Sequence, residues 1–341
     1  MHKARFWKPL SQQKVQCELC RFHCVIFEGK RGLCGVRENR SGCLYSLVYG
    51  KSIAENVDPI EKKPLFHVYP GSRSLSIATV GCNFRCLHCQ NAEISQWTRG
   101  HQQIPGSTMS PESVVARAES TGCLSISYTY TEPTIFMEFA YDIAVLAHAA
   151  GLKNIFVTNG YTTTQALEAI APYLDAANVD LKGFSDQAYR HLTGASLQGV
   201  LDCLKDYRRL GIWIEVTTLL IPDHNDTDSE LRQIAQFIVE ELGREVPWHV
   251  SAFYPSYKML DRPPTPSSTL LRAQKIGREA GLDYVYIGNM NIPGGEDTVC
   301  PGCQRAVIKR ARFHTMGMQI VSGRCAYCQQ KIPGIGMTVS K

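Results

Sequence analysis

Gly81-Cys82-Asn83-Phe84-Arg85-Cys86-Leu87-His88-Cys89-Gln90-Asn91 continues directly from Ser74–Gly81, a short run of Leu, Ile, Val, Ala and small hydroxyl residues. Such a run suits a strand buried on both faces. The cysteines follow C-x3-C-x2-C spacing on what must then be a strand-end loop. Three thiolates so placed can bind three irons of a cubane cluster and leave the fourth iron open, and an open metal position is where chemistry takes place. By spacing alone, the triplet also suits a zinc site that borrows a distant fourth ligand.

The rest of the chain separates these readings. Strands are expected at Leu124–Tyr130, Asn154–Asn159, Ala177–Lys182, Trp213–Ile221, His249–Tyr254 and Tyr284–Gly288, with amphipathic helices between them, the first being Pro111–Ser120 behind an N-cap at Ser110. Strand and helix alternating about six times imply an α/β fold with parallel pairing and right-handed crossovers. A partial (β/α)6 barrel or a fuller TIM-like barrel is expected over residues 71–295, with its working face at the carboxyl ends of the strands. Residues 1–70 and 296–341 break the rhythm and read as an N-terminal Cys-rich extension and a C-terminal zinc-ribbon-like tail. Val57–Leu65, punctuated by prolines, reads as a linker with solvated lysines.

The chain has 341 residues, 44% hydrophobic and 20% charged, without an apolar run long enough to span a membrane. Its first residues lack the apolar core of a secretory signal, so a cytoplasmic location is expected. Fourteen cysteines in such a chain point to reduced, metal-binding thiolates rather than disulfides. Cys43, Cys123 and Cys203 stand alone and read as core thiols. Cys300-x2-Cys303 and Cys325-x2-Cys328 form two knuckles suited to tetrahedral zinc. Cys17-x2-Cys20-x3-Cys24-x9-Cys34 suits either zinc or an auxiliary iron–sulfur cluster. From Glu296 onward seven basic residues face two acidic ones, which accounts for the whole +5 excess of the chain.

The strand ends carry a resemblance. Tyr128-Thr129-Tyr130-Thr131-Glu132-Pro133, Thr158-Asn159-Gly160, Asp180-Leu181-Lys182 and Ile287-Gly288-Asn289 follow the cysteine loop in order, each at the carboxyl end of an expected strand. With that loop they resemble the radical S-adenosylmethionine (SAM) superfamily. The resemblance implies a 4Fe–4S cluster on Cys82, Cys86 and Cys89, with His88 at the position before the third cysteine. It also implies bound SAM contacted by Glu132, Asn159, Asp180, Lys182, His249 and Asn289. Five of them have a plainer alternative: Glu132 as a helix cap, Asn159 as a turn residue, Asp180 with Lys182 as a surface pair, and His249 as a core histidine.

The flanking cysteine groups and the Asp58–Pro64 stretch are similar to those of AmmeMemoRadiSam system radical SAM enzymes, relatives of pyruvate formate-lyase activating enzymes. Typical activating enzymes begin near their cluster loop, so the long amino-terminal extension is a departure. The resemblance implies reductive SAM cleavage, an electron donor, and hydrogen abstraction from a macromolecule, a protein first. An RNA held by the basic tail is the alternative substrate. A metal-binding scaffold without catalysis is the reading from another class, and an intact open-iron motif argues against it.

Overall fold

The computed structural model describes residues 1–338; Lys341, counted above among the basic residues of the tail, lies outside them. Seven short β-rich segments pair side by side in the order in which the chain makes them. They are β2 (Arg73–Ala78), β3 (Ser125–Tyr128), β4 (Lys153–Thr158), β5 (Ala176–Asp180), β6 (Trp213–Leu220), β7 (Trp248–Ala252) and β8 (Val285–Gly288), all parallel to their neighbours. An eighth strand, β1 (Ala54–Pro59), pairs antiparallel with β2 and forms one edge of the sheet. The seven strands expected from sequence therefore form, within a few residues at each end.

Helices α1 (Pro111–Ser120), α2 (Met137–Ala149), α3 (Thr164–Ile170), α4 (Asp186–Thr193), α5 (Leu197–Arg209), α6 (Asp228–Phe237) and α7 (Ser267–Glu279) connect them. Local chemistry sets their starts. Ser110 and Ser113 form a capping box across Pro111, while Thr163, Ser185 and Thr227 cap α3, α4 and α6. Strand residues alternate between two environments, as the period of two requires. Leu75, Ile77, Phe156, Val179, Val216 and Val250 share one core with Val114, Phe139, Leu204, Ile234 and Leu270 of the helices. The other face carries Ser74, Ser76, Ser127, Asn178, Glu215, Thr217, His249 and Tyr286, all buried although polar.

The flanking segments are built against this sheet. Small antiparallel sheets formed by His2–Lys3, Arg37–Arg40 and Cys43–Ser46, and by Trp7–Pro9, Val15–Cys17 and Val25–Ile26, supply Val15, Ile26 and Leu44 to the core that holds Phe84 and Ile135, and Val36 and Val48 join it from just outside the strands. The tail has a small core of its own, including Val307, Ile308, Ile320 and Ile332 beside Cys300 and Cys325. It docks beneath the sheet through Ile335, which bridges to Val68, and through Arg310, which donates to the Phe66 carbonyl at 2.7 Å. No helix among the described residues is long and apolar enough to cross a membrane.

The Val57–Leu65 linker reading needs correction. Residues 57–59 lie in β1, and a single 3-10 turn, Ile60–Lys62, follows at once. Lys63 is 2% exposed, with Nζ 2.6 Å from Asp58 Oδ2, so it is no solvated charge. Pro59, with Pro64 shortly after it, hid the strand, because β1 is an edge strand and tolerates proline at its last position.

Candidate active site

The cysteine loop leaves the carboxyl end of β2 and turns at Gly81, whose φ is +102°. Glycine is required there. A Cβ would fall 2.8 Å from Val36 Cγ1 and 3.0 Å from the Cys34 carbonyl oxygen. The loop is then tied down from two sides. Arg85 and Leu87 donate their N–H groups to Thr193 and Leu192 at the end of α4, at 2.7 and 3.0 Å. Lys258 donates its N–H to the Leu87 carbonyl, and Ser256 Oγ donates to the Cys89 carbonyl. Phe84 is buried against the rings of Phe22, Tyr161 and Tyr189. Helix α4 is thus the loop's main anchor, and the apolar periodicity missed it because only three of its eight residues are buried. Ser185 before it and Gly194 after it, at φ +83°, were the available signals.

The cysteines face several of the expected strand-end residues. Asn159 Nδ2 donates to Asn83 Oδ1 at 2.7 Å and lies 3.9 Å from Cys82 Sγ. Lys182 Nζ lies 2.7 Å from Asp180 Oδ2. Burial opposes the Lys182 charge, but Asp180 and the neighbouring Cys86 outweigh it and hold the ammonium above its ordinary value. Burial pushes the Cys86 thiol up to about 12, with Lys182 pulling the other way. His88 is 4% exposed; burial, with Lys182 adding to it, takes its pKa down to about 3, so the ring is neutral. Asn289 sits at the end of β8 with φ +58°, its Nδ2 donating to the Ala252 carbonyl.

Glu132 is placed differently from a free carboxylate at the mouth of the site. Its Oε1 accepts from the Thr134 N–H, Thr134 Oγ1 and Thr158 Oγ1, and its Oε2 accepts from the Asn159 N–H. It caps the turn that follows and joins the ends of β3 and β4. His249 also stands apart from the cysteine loop. It lies near the amino end of β7, with Nε2 2.6 Å from Glu215 Oε2 and its ring against Phe66 and Tyr286. Glu215 in turn accepts the N–H groups of Phe66 and His67, so this network closes the floor of the polar face.

A second polar cluster was not anticipated. Asp58 accepts from Lys62, Lys63, Ser76 and Tyr130. Burial works against the Asp58 charge, but these donors outweigh it and hold the carboxyl well below the usual range. Tyr130, within the strand-end motif of β3, was the pointer to it, but nothing in sequence spacing pairs it with a residue seventy positions earlier.

Both flanking cysteine groups assemble. In the tail, the four sulfurs of Cys300, Cys303, Cys325 and Cys328 lie within 4.8 Å of one another, with Cys300 and Cys328 at 3.6 Å and Cys303 and Cys325 at 3.7 Å. At the amino end, Cys17, Cys20, Cys24 and Cys34 line one cavity together with Arg37 and Asn83.

Residues 76–238 match the Radical SAM superfamily. An uncharacterized protein of Methanocaldococcus jannaschii is 46% identical over 334 residues, covering 97% of this chain and 99% of its own. The pyruvate formate-lyase-activating enzyme of Clostridium pasteurianum is 24% identical, over 50% of this chain and 70% of its own. Among solved structures, a radical SAM methyltransferase from Sphaerobacter thermophilus shares the fold with a TM-score of 0.50 at 15% identity, over 64% of this chain and 67% of that one. With the three-cysteine loop at the carboxyl end of the first parallel strand, these likenesses show that the chain belongs to the radical SAM superfamily, related to the activating enzymes of glycyl radical enzymes.

Proposed function

We propose that this chain is a radical SAM oxidoreductase whose cluster is held by Cys82, Cys86 and Cys89 and whose substrate is a protein. The observation that carries the reading is the position of these three cysteines beside Asn159, Asp180 and Lys182 at successive strand ends. Among the described residues, only the tail four form a set whose ligand atoms all lie within 4.8 Å of one another. The three loop sulfurs are therefore spread wider than around one ion. Each thiolate of a cubane stands one bond beyond a separate corner, so the residues fit a 4Fe–4S cluster with one iron open.

When bound, the cluster and SAM supply a 5′-deoxyadenosyl radical by one-electron cleavage of the sulfonium bond, and the radical takes a hydrogen atom from the substrate. The chain's own residues position and shield. Asn159 orients the first ligand through Asn83, and Glu132 holds Asn159 in place from behind. The Asp180–Lys182 pair presents charge next to Cys86, and neutral His88 adds none. Sequential parallel strands with buried polar residues on one face support a partial barrel curled round that face, which would keep bulk water from the site.

The tail supports a zinc reading. Four thiolates at a Zn–S distance of about 2.3 Å stand about 3.8 Å apart in a tetrahedron, and the sulfur pairs here stand at 3.6 and 3.7 Å. Free thiols throughout suit a reducing compartment such as the cytoplasm. A protein substrate is favoured over RNA because the tail's buried Arg310 is spent on internal contacts, and because an activating enzyme named for a protein target is among the relatives.

Anaerobic reconstitution with iron and sulfide, reduction, and chromatography for 5′-deoxyadenosine test the reading. SAM cleavage by wild type and none by Cys86→Ala is expected. Equal and negligible product from both would overturn it.

A further inference from the structure

The amino-terminal cysteines assemble around a space that a single ion does not fill. Cys17, Cys20, Cys24 and Cys34 line one cavity with Leu19, Phe22, Ile26 and Ile135. The centre of a water-sized sphere can move through about 10 Å³ of that cavity, roughly the room of one water. Four thiolates at single-ion distance leave no such room between them. The tail group supplies the comparison within the same molecule. Its sulfurs meet the 4.8 Å single-ion spacing, and among the described residues neither the amino-terminal four nor any three of them do. In this they match Cys82, Cys86 and Cys89 and differ from Cys300, Cys303, Cys325 and Cys328.

A second observation is independent of the cysteines. Arg37 and Asn83 both line the cavity, at 1% and 2% exposure. Arg37 Nε and Asn83 Nδ2 are buried donors without a partner in the protein. The remaining Arg37 donors are occupied by Glu138 and the Arg5 carbonyl. Orphaned buried donors are costly, and a native structure rarely keeps two around one void unless something accepts from them. The bridging sulfides of an iron–sulfur cluster are such acceptors, and hydrogen bonds to them tune its potential.

We propose that Cys17, Cys20, Cys24 and Cys34 hold a second 4Fe–4S cluster, packed against the back of the loop that carries Cys82. Each thiol would exchange its proton for one iron, forming four S–Fe bonds and releasing four protons to solvent. With every iron held by protein, none is open to SAM, which leaves this cluster structural and electron-transfer roles. Asn83 links the two centres. Its side chain lines the cavity, while its Oδ1 accepts from the Asn159 amide that approaches Cys82. The Cys34 carbonyl abuts Gly81 on the same side.

The test uses the full chain, reconstituted anaerobically with ferrous iron and sulfide, and counts iron, labile sulfide and zinc. The variant Cys82→Ala/Cys86→Ala/Cys89→Ala leaves the amino-terminal group untouched, so its folding is not in question there. It is expected to keep about four irons and four sulfides per chain, half the wild-type content, with one zinc from the tail. Cys17→Ala/Cys20→Ala is expected to lose the other half. A triple variant with no sulfide and two zincs would overturn the proposal and leave the SAM-cleaving reading intact. A wild type with no iron after reconstitution would overturn both.

Discussion

Asn159 Nδ2 lies 2.7 Å from Asn83 Oδ1, a hydrogen bond that joins the end of β4 to the residue after Cys82, the first cysteine of the loop. Asn159 is held in turn by its own N–H, which donates to buried Glu132 at 2.8 Å. The end of β3, the end of β4 and the cysteine loop thus form one connected unit. Both residues are expected at the site from sequence, and in the structure they are linked in series, Glu132 to Asn159 and Asn159 to Asn83.

Replacing the amide tests the first member of that series. Asn159→Ala removes one hydrogen bond between neutral groups, worth about 1 kcal/mol, so SAM cleavage should slow about five- to tenfold. Iron content should stay at the wild-type value, because none of the cysteines changes. A rate equal to wild type, measured as 5′-deoxyadenosine per minute, would show that the contact does not position the loop.

Arg310 carries a sharper expectation for stability. Its Nε lies 3.6 Å from Glu61 Oε1, and both side chains are fully buried. The guanidinium also stacks over the Phe66 ring at 4.4 Å and donates to Thr298 and to the Glu296 and Phe66 carbonyls. Arg310→Met leaves the Glu61 carboxylate buried without its cation, which costs about 3–5 kcal/mol. Pairing it with Glu61→Gln should restore a large part of that loss. A urea midpoint for Arg310→Met equal to wild type would mean that the tail does not dock as described.

The course of the chain explains what was legible beforehand. The strands are short runs of apolar and small polar residues buried on both faces, so local composition revealed them. The cysteine motif was legible because its spacing is local. Asp58, Lys63 and Tyr130 meet only because β1 turns back along β2, and no local pattern encodes that pairing. The burial of Arg310, one of the seven basic residues of the tail, is hidden from local pattern for the same reason, since its partners Glu61 and Phe66 lie some 250 positions earlier. His249 opens its strand in the sequence as in the structure, where β7 starts one residue before it, and of its two readings the core histidine matches its place on the floor beside Glu215.

That floor should make stability depend on pH through His67. Nδ1 faces the Pro333 carbonyl at 2.7 Å and must carry the proton, so Nε2 accepts from the Tyr286 hydroxyl at 2.7 Å. Burial takes the His67 pKa from 6.5 down to about 4. The unfolded chain then binds a proton at a higher pH than the folded chain does. Stability is complete above about pH 6.5 and falls as the pH drops toward 4, by about 3 kcal/mol in total from this residue. His67→Gln cannot titrate and should flatten that part of the curve. Parallel wild-type and variant stability curves between pH 6.5 and 4 would refute this.

Metal removal tests how the tail is held. Its apolar core is small and includes two of the cysteines, so under the proposed zinc reading the four thiolates supply most of its folding free energy through the bound ion. Cys303→Ser/Cys328→Ser should therefore lose one zinc per chain and free the backbone at Arg305 and Lys309, whose side chains are already exposed, for cleavage by trypsin. The effect should not stop at the tail. Ile335 bridges Val68, Pro333 accepts from His67, and Arg310 covers Phe66, so an unfolded tail uncovers the floor of the sheet. Melting of the whole chain should drop by several degrees, with the His67 pH dependence lost at the same time because its ring becomes solvated. Loss of zinc with unchanged melting and an intact pH profile would show instead that the tail folds and docks without its metal.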